Sequence, residues 1–85
     1  MRFRFEVVVH LKPGLLDPQG KAVEDALPTL GFQDVSDVRV GKHVRLVVEA
    51  VDEEAARASV EEIARRLLSN PVIEEFRVLS AEKVP

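Results

Sequence analysis

The sequence predicts an α+β, ferredoxin-like two-layer sandwich, with element order β-α-β-β-α-β, a four-stranded sheet and two helices on one face. Three observations point to it. Residues 2–11 alternate apolar and polar side chains. Two later stretches repeat apolar residues at helical spacing behind helix-start residues, and short alternating runs follow each of them. With 85 residues the chain has room for one domain, 1–85, and a small core that a partner chain could supplement.

The first strand places Phe3, Phe5, Val7, Val9 and Leu11 on one face and Arg2, Arg4, Glu6, Val8 and His10 on the other. Lys12-Pro13-Gly14 ends it, because proline lacks the amide a sheet ladder needs. Asp17-Pro18 is a helix start: a capping carboxylate precedes a residue whose missing N–H costs nothing in the first turn. Val23, Ala26, Leu27 and Leu30 then share a helical face. Pro28 predicts a kink or tightening, and Gly31 the end.

Val38 and Val40 alternate with Asp37 and Arg39, and Val44, Leu46 and Val48 alternate with Arg45, Val47 and Glu49. Gly41-Lys42 between them reads as a tight hairpin joining the second and third strands. Asp52 caps the second helix, with Glu53 and Glu54 suited to its positive end. Its apolar stripe is Ala56, Val60, Ile63 and Leu67, and Asn70-Pro71 stops it. A last strand covers 72–79. The usual strand order of this topology sets the first and third strands side by side and antiparallel.

A net charge of -3 argues against a nucleic-acid surface, which needs a basic face. The absence of cysteine excludes thiolate catalysis, disulfides and Cys-ligated metal. The opening residues lack the apolar core of a signal peptide, and no apolar run has membrane-span length, so the expected location is cytoplasmic.

Gly41-Lys42-His43 resembles the end of a phosphate-binding loop, but Ser36 stands where that loop needs its first glycine and His43 where it needs Ser or Thr. His10 and His43 could approach one another across the sheet, yet a metal would lack a third ligand. Glu6 and Glu49 share the outer sheet face with Arg4 and Arg45, so cross-strand ion pairing is the simpler account of them. No serine sits in a nucleophile motif, and no exposed aromatics suit RNA stacking. The sequence offers no catalytic, cofactor or metal residues. Val8, Val47, Val51, Ile73 and Leu79, lying among the charges of the outer sheet face, are candidates for a dimer contact.

Leu16-Asp17-Pro18-Gln19-Gly20-Lys21-Ala22-Val23, with Ala26-Leu27 and Leu30-Gly31-Phe32, resembles the opening signature of the PurS family. Val38-Arg39-Val40-Gly41-Lys42, and Leu67-Leu68 with Asn70-Pro71-Val72-Ile73-Glu74, resemble its later blocks in order and spacing. The resemblance implies a homodimeric or larger, non-catalytic subunit of phosphoribosylformylglycinamidine (FGAM) synthase in purine biosynthesis. Such a subunit joins the glutaminase PurQ to the synthetase PurL and assists ammonia transfer between them. The complex uses ATP and glutamine to convert formylglycinamide ribonucleotide to formylglycinamidine ribonucleotide; ATP and Mg²⁺ belong to the synthetase, and no cofactor belongs to this subunit. In the expected topology the three family-like blocks converge on one end of the domain, which makes Lys12, Gln19, Gly20, Gly41, Lys42, Asn70 and Pro71 candidates for partner docking. The alternative is an ACT-like regulatory domain that binds a small molecule, for which Gly14 alone is a poor match to the Gly-rich turn required.

Overall fold

Strand β1 (Arg2–Leu11) is the middle of an antiparallel sheet in the computed structural model, which describes residues 1–85. It is flanked by β2 (Lys42–Glu49) and β3 (Glu74–Val84), in the order β2-β1-β3. Phe5 stands opposite Leu46 on one side and Ala81 on the other, and Val7 opposite Val44 and Val78. A bulge in β3, where Leu79 is the extra residue between these pairings, lets both Leu79 and Ser80 face out.

The alternation of β1 becomes burial directly. Phe3, Phe5, Val7 and Val9 are buried under helix α2 (Glu53–Ile63), which contributes Ala56 and Val60, with Ala64 from the π turn that follows. Leu46, Val48, Phe76 and Val78 flank this cluster and are only partly covered. The Asp52 carboxylate caps α2 by accepting from the Ala55 amide at 2.8 Å. Ser69 ends the π turn, its amide and hydroxyl both donating to the Ala64 carbonyl at 3.0 and 2.8 Å.

The sheet has three strands, not the four expected, because residues 38–40 do not join it. In an extended segment, amides two residues apart point to the same side. Here Val38 donates to the Glu24 carboxylate at 3.3 Å and Val40 to the Asp17 carboxylate at 2.7 Å. Side chains of the first helix therefore take the hydrogen bonds that a neighbouring strand would have taken. The Gly41-Lys42 hairpin disappears with the strand: Gly41 crosses over the Val9 carbonyl, where a Cβ would overlap the oxygen, and β2 begins at Lys42. The pairing of β1 with the expected third strand, now β2, is antiparallel as the topology requires.

Helix α1 (Pro18–Ala26) is the second departure. It does not lie on the sheet beside α2, and it has no sustained contact with any strand. It continues into a 3₁₀ turn at Pro28–Leu30, the tightening expected of Pro28, and Gly31 closes it at φ 96° with its amide on the Pro28 carbonyl. Together α1, this turn and residues 32–40 form an arm projecting from one end of the sheet. The molecule measures 51 × 29 × 14 Å, with a radius of gyration of 16.4 Å. A compact chain of this length would have about 12 Å.

Candidate functional site

Asp17 joins the base of the arm to the entrance of β2. One carboxylate oxygen accepts from the Gly20 amide at 3.0 Å, the ordinary N-cap bond, and the other accepts from Val40 across 23 residues of sequence. The Gly20 amide, then the Val40 amide, hold its carboxyl below the usual carboxylate range; the Arg39 guanidinium adds to this and desolvation opposes it. Gly20 is buried because the Val38 carbonyl lies where its side chain would be. A glycine that weakens a helix interior is thus required for the helix to press against residues 38–40.

Around this joint the three sequence blocks meet. Gln19, Gly41 and Lys42 line one cleft with His10, Asp17 and Glu74. The Lys12 amide donates to the Ile73 carbonyl at 2.8 Å, and the Asn70 amide donates to the Glu74 carboxylate at 2.7 Å, so the 70–74 turn is fastened to the same end. The Asn70 side chain accepts from Val72, and its carbonyl accepts from Ile73 and Glu74. Gln19, Lys42, Asn70 and Pro71 are exposed, Lys12 is half-buried, and Gly20 and Gly41 shape the backbone without presenting a side chain. Lys21, near Gln19 in sequence, is held by Asp25 at 3.2 Å and Glu24 at 3.8 Å, which raises its pKa, so it is not a free cation.

Neither Arg39 nor the loop 13–16 was among the docking candidates expected from the sequence. Arg39 donates to the Lys12 carbonyl at 3.4 Å, and with His10, Asp37, Glu75, Leu15 and Leu16 it borders a second, larger open cleft of about 740 Å³. Asp37 has φ 56°, a conformation uncommon outside glycine, asparagine and aspartate. The exposed pair Leu15-Leu16 after a proline and a glycine was the available signal.

The outer sheet face carries ion pairs. Glu6 faces His43 at 3.2 Å and Arg45 at 3.7 Å, and accepts from the Ser80 hydroxyl at 3.1 Å; Arg4 pairs with Glu82 at 3.1 Å. Of the pairing expected among Glu6, Glu49, Arg4 and Arg45, the Glu6–Arg45 pair is present; Glu49 forms no ion pair, because Arg4 turns to Glu82 on β3, and His43 turns to Glu6. No three His, Asp or Glu side chains gather as a metal-holding group. Val47, Val51, Ile73 and Leu79 are exposed, and Val8 is half-buried, opposite His43 on β2 and Arg77 on β3. No helix is long and apolar enough to cross a membrane.

Comparison with known proteins agrees with this geometry. Residues 4–82 match the family model for PurS, phosphoribosylformylglycinamidine (FGAM) synthase. The PurS subunit of that synthase from Methanocaldococcus jannaschii is 35% identical over 82 residues, covering 96% of this chain and 98% of the relative. The Bacillus subtilis PurS subunit is 41% identical over 75 residues, 88% of each chain. Among solved structures, Thermus thermophilus PurS superposes over the full length of both chains with a TM-score of 0.88 at 36% identity. A chain in the structure of PurLQS from Thermotoga maritima superposes with a TM-score of 0.85 at 34% identity, over 93% of this chain and 96% of that one.

Proposed function

The chain belongs to the PurS family, and from that membership we propose that it joins the glutaminase and synthetase subunits of FGAM synthase in purine biosynthesis. The observation that carries this reading is the likeness, over nearly the whole chain, to a chain in PurLQS. In this role the subunit assists passage of ammonia from PurQ to PurL. ATP and Mg²⁺ are bound by the synthetase, and the complex works in the cytoplasm.

The docking edge in this reading is the end where Gln19, Lys42, Lys12 and Asn70-Pro71 converge. Gly20 and Gly41 act there by allowing close backbone approach, which fixes where Gln19 and Lys42 stand. Neither Gln19 nor Lys42 donates or accepts a side-chain hydrogen bond within the chain, and Lys42 has no ion-pair partner. Side chains that contribute nothing to their own fold are available to another protein.

The test is Gln19→Ala combined with Lys42→Glu. Exposed substitutions of this kind change folding stability by about 0.5 kcal/mol or less. Assembly with PurQ and PurL, followed by sedimentation, is expected to weaken by about tenfold or more. Undiminished assembly would move the docking site to another face.

A further inference from the structure

Four ionisable side chains gather at one end of the sheet without finding each other. His10 and Glu75 are direct cross-strand partners on β1 and β3, as are Arg4 and Glu82. Arg4 and Glu82 meet at 3.1 Å, whereas His10 and Glu75 form neither a hydrogen bond nor an ion pair. Asp37 and Arg39 stand beside them and do not pair either, and the Arg39 guanidinium has a single long bond, to the Lys12 carbonyl at 3.4 Å. All four border the open cleft of about 740 Å³, on whose rim Leu15 and Leu16 are 39% and 76% exposed. The Lys12 carbonyl also accepts from the Leu15 amide at 3.3 Å, so one backbone atom ties the leucine turn to Arg39. Asp37 is held at φ 56°, a strained conformation of the kind that recurs where ligands bind.

We propose that this cleft binds a free α-amino acid with an aliphatic side chain. The groups present decide the class. A ligand of one charge is repelled by half of an opening that holds both signs, whereas a zwitterion satisfies both halves. Arg39 takes the carboxylate, because its planar fork matches two oxygens at once and its own chain occupies it with one long bond. His10 adds an imidazole N–H donor. Asp37 and Glu75 accept from the ammonium, and neither carboxylate has a donor within its own chain. Leu15 and Leu16 receive the side chain, which covers methyl groups that otherwise meet water. The site needs no partner subunit, so it stands apart from docking at the neighbouring edge.

Titrating the isotope-labelled full-length chain with L-leucine at neutral pH, followed by backbone amide shifts, tests this directly. Saturable shifts are expected at Leu15, Leu16, Asp37, Arg39 and Glu75. N-acetyl-L-leucine lacks the ammonium, L-leucinamide lacks the carboxylate and glycine lacks the side chain, so each should bind about tenfold more weakly or worse. Arg39→Ala should weaken leucine by about tenfold and leave the weak binding of leucinamide within about twofold, a split that a merely structural role would not produce. The ligand series is read on the wild type, so it decides the matter even where the variant fails to fold. No saturable shift up to about 20 mM leucine would overturn the proposal. So would leucinamide or N-acetyl-leucine binding as well as leucine, or shifts that leave the cleft residues unmoved. Glycine binding as well as leucine would overturn the aliphatic assignment.

Discussion

Asp17 is one carboxylate with two backbone partners from distant parts of the sequence, and its titration should be visible locally. Its pKa is lowered by folding, so its contribution is fully present above the unfolded value of about 3.9 and is lost as pH falls through its own lower value. Amide exchange at Gly20 and Val40 should therefore stay protected through the ordinary carboxylate range and lose protection, relative to intrinsic rates, only as pH falls below it. Asp17→Asn should weaken both protections at pH 5 and remove the acid step, because an amide NH₂ cannot accept from a second N–H. Equal protection in the variant would mean that the joint is held by packing alone. Half of this joint was legible in the sequence. Asp17 before Pro18 announces a cap, but the bond to Val40 is a long-range choice for which the spacing gives no sign. Gly20 was legible as an expense to the helix, with its cause, the Val38 carbonyl, hidden until the chain is folded.

Among the elements, β1, β2, β3 and α2 follow their hydrophobic periods, because each buries its apolar set against the others. The failures are at residues 38–40 and at α1, and they share a cause. Periodicity says which side of a segment is apolar, not which surface will cover it. Val38 and Val40 alternate like a strand, but their amides are claimed by Asp17 and Glu24, and α1 keeps a helical stripe that its own sheet does not receive. Helix α2 was readable at its cap and first turns, but not at its end: the π turn after Ile63 brings Ala64 and Leu68 to the core and leaves Leu67, expected in the apolar stripe, 78% exposed. Asp52→Ala should remove the bond to Ala55 and cost about 1 kcal/mol, lowering the melting temperature by about 4–8 °C in a domain of this size. No change in calorimetry would mean that Glu53 and Glu54 secure the helix start without the cap.

At the scale of the whole molecule, the shape and the function point the same way. A thin core, a 51 Å length and an apolar arm describe a chain built to be completed by other chains. The sequence carried its family resemblance in blocks 16–32, 38–42 and 67–74, and the structure shows why blocks so far apart can act together: the 16–20, 38–42 and 70–74 segments meet at one end of the sheet. What no residue pattern could supply is the chemistry, which in this account lies in the partners. In the role proposed above, the subunit couples the release of ammonia in one of them to its use in the other. That claim is tested most directly by reconstituting FGAM synthase from PurQ and PurL with and without this chain, and measuring synthesis from glutamine and from added ammonia in parallel. The account predicts that omission abolishes glutamine-dependent synthesis and largely spares synthesis from ammonia; equal loss of both would contradict it, and would make the chain a support of the synthetase's own chemistry.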